Sequence, residues 1–241
     1  AVAEGFGSPV APAELTWALI MAAMRRLPQY ISNLKHGAWQ QSGLKAGSMP
    51  TNFGLGQVLR GKTLGIWGYG KIGQLLAGYG KAFGMRVVVA NRSDVSSADV
   101  DQSFNLDELH SFMRICDVIV VTLPLTDTTR ALIDAKALAC MSSHAVIVNV
   151  GRGAVIDEAA LYQALHAQRI AGAIIDTWYQ YPSTEQATCA PSQYDFASLP
   201  NVLMTPHMSG WTSGTVQRRK QTIADNINRL SLGQPLINVL N

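Results

Sequence analysis

Several short clusters in this sequence have residue types and spacings that can do chemistry. The first is Gly68-Tyr69-Gly70-Lys71-Ile72-Gly73, a G-x-G-x-x-G run that follows an apolar stretch, Thr63–Gly68, and opens a helical pattern, Ile72–Phe83. In that setting each glycine has a physical reason. Gly68 permits the tight turn, Gly70 lets a pyrophosphate approach the backbone, and Gly73 lets the helix pack closely on the strand. The N-terminus of the helix adds free N–H groups and a positive partial charge for the phosphates. The second cluster, Asn91-Arg92-Ser93, ends the apolar run Arg86–Ala90, 18 residues beyond Gly73, and contains no carboxylate. A carboxylate at that place would bind the ribose hydroxyls of NAD. Here Arg92 can pair with a 2′-phosphate, Ser93 can donate to it and Asn91 does not repel it, so the cluster favours NADP over NAD. Further along lie Asn149-Val150-Gly151-Arg152-Gly153, the aspartate Asp176 at the end of an apolar run, and Pro206-His207-Met208-Ser209-Gly210.

The elements that must position these clusters are legible as short apolar runs alternating with amphipathic stretches. The runs Thr63–Gly68, Arg86–Ala90, Asp117–Leu123, Ala145–Val150, Gly172–Asp176 and Asn201–Thr205 are rich in Val and Ile and nearly free of charge. Such runs suit strands buried on both faces. Between them the patterns Ile72–Phe83, Leu106–Arg114, Thr128–Met141 and Asp157–Gln168 read as helices. This alternation predicts an α/β fold with a doubly wound, parallel, Rossmann-like sheet. Before it, Ala1–Val10 reads as irregular chain, and Leu15, Ala18, Leu19, Ala22 and Ala23 form a helical stripe with Pro12 in its first turn. Pro28 should restart that helix towards Trp39, and residues 41–61, rich in Gly, Ser and Pro, read as a long loop. A last helix is expected from about Thr212 to Leu230.

Composition narrows the function classes. The 241 residues carry a net charge of +3 with scattered basic residues, and Arg218, Arg219 and Lys220 read as one solvated helical turn, so nucleic acid is set aside. Charged residues make up only 15%, which suggests that some surface is covered by another domain or subunit. Cys116, Cys140 and Cys189 are far apart and form no C-x-x-C pair, so neither zinc nor any other metal nor a disulfide framework is indicated, and free thiols fit the cytoplasm. No apolar run reaches the roughly 18 residues that span a bilayer, and no signal-peptide pattern opens the sequence. The sequence begins with Ala1 and not with Met, as expected either of a piece of a longer chain or of a chain that has lost its first methionine.

With these motifs in order, the sequence resembles the D-isomer-specific 2-hydroxyacid dehydrogenases. The resemblance covers nearly the whole chain and rests on Gly68–Gly73, on Thr122-Leu123-Pro124-Leu125 with Thr128-Thr129-Arg130, on Asn149–Gly153 and on Pro206–Gly210. It implies a nicotinamide-dependent oxidoreductase acting on a 2-hydroxy or 2-oxo acid. Arg152 would clamp the substrate carboxylate and His207 would move the proton, roles that a planar guanidinium and a near-neutral imidazole suit. Asp176 resembles the residue that holds the nicotinamide region, although a turn cap explains it nearly as well. The resemblance also implies cofactor contacts from Lys71, Ile72, Leu123, Pro124, Thr128, Val150, Gly151, His207 and Gly210.

Two departures matter. The family commonly has a glutamate five residues after the aspartate, pairing with the histidine; here that position is Tyr181. A phenol can orient an imidazole by a hydrogen bond but has no charge with which to hold it protonated. Carbonyl reduction is therefore expected to fall away at lower pH than in relatives with the glutamate. Gln180 and Glu185 are possible substitutes, and formate dehydrogenases carry glutamine there. The second departure is a substrate domain of roughly a hundred residues that relatives carry before the linking helix, here Ala13–Arg26. Residues 1–11 read as its remnant, 12–210 as the dinucleotide-binding domain, and 211–241 as a helix returning towards the substrate domain, so that interdomain helices flank the sheet. Little turnover is expected from these residues alone. The resemblance further implies a homodimer, with the arm Pro28–Trp39 reaching across. The alternative is a non-catalytic dinucleotide sensor or scaffold on the same fold, for which Tyr181 speaks and Arg152 and His207 speak against.

Overall fold

The computed structural model describes residues 2–3, 8–37, 39 and 55–240. Most of the expected 41–61 loop, and residues 1 and 4–7 of the expected remnant, lie outside the described residues. The strands are β1 (Val2–Ala3), β2 (Thr63–Trp67), β3 (Arg86–Ala90), β4 (Gln102–Phe104), β5 (Val118–Val121), β6 (Val146–Asn149), β7 (Gly172–Ile175), β8 (Val202–Met204) and β9 (Val239–Leu240). The α-helices are α1 (Val10–Met24), α2 (Leu27–Lys35), α3 (Lys71–Ala82), α4 (Leu109–Ile115), α5 (Ala135–Cys140), α6 (Glu158–His166) and α7 (Ser213–Ser231).

Seven strands form one sheet in the order β4-β3-β2-β5-β6-β7-β8. Every neighbouring pair in it is parallel. Strands such as Val118-Ile119-Val120-Val121 are buried at every position because both faces of the sheet are covered. Alternate residues go to opposite sides: Leu64, Ile66, Val87, Val89, Val118 and Val120 join one core, which holds Trp17 and Ile20 of α1 and Leu76 of α3. Trp67, Val88, Ala90, Ile119 and Val121 join the other, with Phe112 of α4, Leu138 of α5 and Leu161 of α6. The sheet is doubly wound, as the strand–helix alternation predicts. The strand order reverses beside β2: one half of the sheet grows through β3 and β4, the other through β5 to β8.

Some expected boundaries differ from the structure. The helix expected over Thr128–Met141 is reduced to Ala135–Cys140. Thr129 N and Arg130 N donate to the Thr126 carbonyl in a turn, Ala131 has φ +49, and Ile133 pairs with Ile156 as an isolated bridge, so no helix forms until the Asp134 side chain caps α5 through Ala137 N at 2.8 Å. A long-range pairing thus overrides the local apolar spacing. Two structures were not anticipated. The edge strand β4 is only three residues long and contains Gln102 and Ser103. The amino-terminal segment, read as irregular, pairs antiparallel with the carboxyl-terminal end, Val2 with Leu240 and Ala3 with Val239. Pro28 does restart the helix, in the first turn of α2, after Arg26 turns the chain with φ +57.

Phe112 is fully buried and packs edge-on against Trp67 and Phe104, with ring centroids 6.1 and 5.9 Å away. Phe112→Ala should cost about 3–5 kcal/mol of stability. The check is urea unfolding, where the midpoint falls and the slope stays unchanged.

Candidate functional site

Because the sheet is parallel, the carboxyl ends of all its strands lie along one edge, and every residue singled out from the sequence lies in a loop or helix start at that edge or at the element following it. Gly68–Gly73 follows β2, Asn91–Ser93 follows β3, Leu123–Thr128 follows β5, Val150–Arg152 follows β6, Asp176 and Tyr181 follow β7, and His207 and Gly210 follow β8. The reversal of strand order puts a crevice between β2 and β5, where ligands of such sheets bind.

The loop after β2 has the geometry its spacing demands. Gly68 has φ +99, a left-handed conformation that suits glycine. A Cβ at Gly73 would lie 2.5 Å from the Gly68 carbonyl oxygen, so only glycine fits there. A Cβ at Gly70, by contrast, would meet nothing within 4 Å, leaving the backbone open to a ligand. Gly70 begins α3 without a side-chain cap, so no side chain competes for the first-turn N–H groups. Asn91 Oδ1 accepts from Tyr69 N at 3.5 Å and Asn91 Nδ2 donates to the Ser93 carbonyl at 3.1 Å, which ties the loop after β3 to the glycine turn. Arg92 and Ser93 are exposed beside it. These features fit a dinucleotide: open backbone for the pyrophosphate, unclaimed helix N–H groups, and a cation where a carboxylate is absent.

Hydrogen bonds and close contacts then run from loop to loop along the edge. Thr122 Oγ1 donates to the Gly68 carbonyl at 2.7 Å, joining the loops after β5 and β2. A Cβ at Gly151 would lie 2.6 Å from the Leu123 carbonyl, so the β6 loop packs directly on the β5 loop. Buried Asn149 braces that loop from within, accepting from Gly151 N at 3.2 Å and donating to the Arg152 carbonyl at 3.1 Å. A Cβ at Gly153 would overlap the Trp178 backbone, which packs the β6 loop onto the β7 loop. Trp178 Nε1 donates to the Thr205 carbonyl at 2.8 Å, reaching the β8 loop. Thr122 and Asn149 were quoted in motifs but not marked as site residues. Their positions at the switch point and at the last residue of a strand are the signals that would have flagged them.

Asp176 is fully buried. One oxygen accepts from Thr205 Oγ1 at 2.6 Å and Met208 N at 3.0 Å, and the other accepts from Ser209 N at 3.0 Å. Burial pushes this carboxyl up, but the donors from Thr205, Ser209 and Met208 favour the anion more strongly, so it lies below the usual carboxylate range. The carboxylate clamps both sides of His207, whose backbone has φ +57. Histidine tolerates that region at a cost, and the flanking bonds hold it there. The turn-cap reading of Asp176 therefore describes its contacts.

Arg152 is exposed, its guanidinium donating to the Gly151 carbonyl at 2.8 Å. The His207 imidazole makes no hydrogen bond among the described residues. Tyr181 lies against it, ring centroids 5.5 Å apart and planes tilted by 55°. The phenol makes no hydrogen bond to the imidazole; the hydroxyl accepts from Trp178 N at 2.9 Å. Gln180 and Glu185 are exposed and neither bonds to His207. Among the described residues no group of His, Cys, Asp and Glu could hold a metal ion, and no helix is long and apolar enough to cross a membrane.

Comparison with known proteins agrees with this architecture. Residues 17–209 match the family described as D-isomer specific 2-hydroxyacid dehydrogenase, NAD binding domain. Glyoxylate reductase of Aeropyrum pernix is 36% identical over 231 residues, which are 96% of this chain and 66% of that protein. The crystal structure of a putative D-3-phosphoglycerate dehydrogenase oxidoreductase from Ralstonia solanacearum superposes with a TM-score of 0.81 at 41% identity, covering 100% of this chain and 68% of that one. An acyclic imino acid reductase in complex with NADPH superposes with a TM-score of 0.74 at 28% identity, covering 96% of this chain and 67% of that one. The chain thus spans about two thirds of the length of these relatives. It belongs to the D-isomer-specific 2-hydroxyacid dehydrogenase family, and the part of that family it folds into is the NAD-binding domain.

Proposed function

We propose that this chain binds a nicotinamide dinucleotide, NADP in preference to NAD, and serves the interconversion of a D-2-hydroxy acid and its 2-oxo acid. The observation that carries this reading is the open Gly70 backbone at the uncapped start of α3, joined by contacts through successive loops to Arg152 and His207. The bound nicotinamide supplies or accepts the hydride. Arg152 orients the substrate through its carboxylate, with two parallel donors matching two oxygens. In oxidation the His207 imidazole takes the hydroxyl proton, and in reduction it returns a proton to the carbonyl oxygen. Asp176 acts on the nicotinamide side by fixing the loop that bears His207, and Leu123, Pro124, Thr128, Val150 and Gly151 line the dinucleotide. The protein works in the cytoplasm, as its three free cysteines suit.

The NADP preference rests on Arg92, exposed and without an ion-pair partner among the described residues, and on Asn91 in place of a carboxylate directly after β3. The relative crystallised with NADPH supports it. We also propose a homodimer built on α2. None of its residues is buried, and Leu27, Ile31 and Leu34, spaced on one helical face, are all exposed. An unpartnered apolar stripe of this kind suits a second copy of the chain. Residues 1–11 are assigned to the edge of a substrate domain, 12–210 to the dinucleotide domain, and 211–241 to a helix directed back to the substrate domain.

Titration of the 241-residue chain with NADPH and NADH, followed by energy transfer from tryptophan, should show tighter binding of NADPH. Arg92→Ala should remove most of that difference, and tighter NADH binding by the unaltered chain would overturn the cofactor choice. Turnover of glyoxylate or hydroxypyruvate by these residues alone should be weak or absent, because Arg152 and His207 face water and the substrate is poorly held. Steady-state turnover at rates typical of enzymes, about 1 per second or more, would refute this. Ile31→Asp should convert a dimer to a monomer in analytical ultracentrifugation; a monomer before substitution would rule the α2 interface out.

A further inference from the structure

His207 is held unequally. Its backbone is fixed on both sides, by the Asp176 carboxylate accepting from Met208 N and Ser209 N and by Thr205 Oγ1 bonded to the same carboxylate. Its imidazole, in contrast, has no hydrogen bond among the described residues, and a backbone clamp does not choose the side-chain rotamer. Proton transfer demands that choice, since a base must come within hydrogen-bond reach of the proton it takes. The ring of Tyr181 is the aromatic contact made by this imidazole.

The Tyr181 hydroxyl is engaged elsewhere than at the imidazole. It accepts from Trp178 N at 2.9 Å, and Trp178 is buried, anchored through Nε1 to the Thr205 carbonyl and packed edge-on against Phe196. Tyr181 also lines a cleft of about 350 Å³ together with Trp178, Pro182, Cys189, Pro191 and Met204, with no charged residue in its wall. The cleft therefore offers the imidazole no ion-pair partner. What backs it is an aromatic surface tied to the same Thr205 that Asp176 holds.

Resting on the reading of His207 as the proton carrier, we infer that Tyr181 is the positioning residue for its imidazole, and that it acts through its ring and not through its hydroxyl. The hydroxyl is engaged by Trp178 N and makes no bond to the imidazole. Aromatic pairs prefer tilted or offset arrangements at this centroid separation, and the contact selects one imidazole orientation without requiring a charge.

The test is nuclear magnetic resonance of the 241-residue chain with labelled histidine, the His207 ring signals being assigned by their loss in His207→Gln. In the unaltered chain these signals should carry a ring-current displacement and show proximity to the Tyr181 ring protons. Tyr181→Phe should keep the displacement, because the ring remains; Tyr181→Leu should abolish it and broaden the His207 signals as the imidazole samples other rotamers. A Phe variant that loses the displacement as fully as the Leu variant, or a Leu variant that retains it, overturns the inference. Should Tyr181→Leu not fold, the Phe variant decides alone: retained displacement supports the ring and lost displacement refutes it. NADPH affinity, measured on the same samples, separates this from the functional reading. Unaltered chain that fails to bind NADPH sinks the proposed function, whereas the His207 signals judge the ring contact whatever the cofactor does.

Discussion

Parallel pairing of the seven sheet strands is the constraint on which everything else in this molecule depends. It requires a crossover before each next strand, made by α3, α4, α5 and α6 ahead of β3, β5, β6 and β7, so helices cover both faces and the central strands are apolar along most of their length. It also collects the carboxyl ends of β2, β3, β5, β6, β7 and β8 at one edge. Glycines, an arginine, an aspartate and a histidine separated by up to 139 positions in sequence, from Gly68 to His207, thereby share one rim. An antiparallel sheet would have divided the same loops between two edges. The chemistry is therefore a product of topology first and of residue identity second.

Within the rim the loops are not independent. Thr122 ties the β5 loop to Gly68, Gly151 lies on Leu123, Gly153 lies on the Trp178 backbone, and Trp178 reaches Thr205. Asp176 completes the series by accepting three hydrogen bonds around His207. A buried carboxylate satisfied in this way is costly to disturb, because removing any donor leaves part of an anion unpaired in a dry environment. Precision at His207 is thus obtained from a buried group that holds the backbone on either side of it.

The parts legible in the sequence were those whose cause is local. Val and Ile runs without charge marked β2, β3 and β5 to β8 because double-sided burial leaves no room for polar residues. Gly68, Gly70 and Gly73 were legible because turn geometry and close approach each demand a missing side chain. The edge strand β4 escaped notice because it is short and half polar, and the helix expected from Thr128 was over-long because the pairing of Ile133 with Ile156 comes from a distant segment. The same limit applied at the site. A phenol can bond an imidazole, but a backbone donor three residues back, Trp178 N, claims the Tyr181 hydroxyl, and only the folded loop brings that donor within reach.

The antiparallel pairing of β1 with β9 has a bearing on how the molecule can be rebuilt. Val2 sits opposite Leu240, so the first and last described residues lie side by side. Neighbouring termini are what circular permutation requires. A short linker could join the ends while new ones are opened in an exposed surface turn, such as the one around Ser183–Gln186, without cutting a strand of the central sheet. By the same geometry, partners fused to either terminus would be delivered to one place on the surface, and two such fusions would meet.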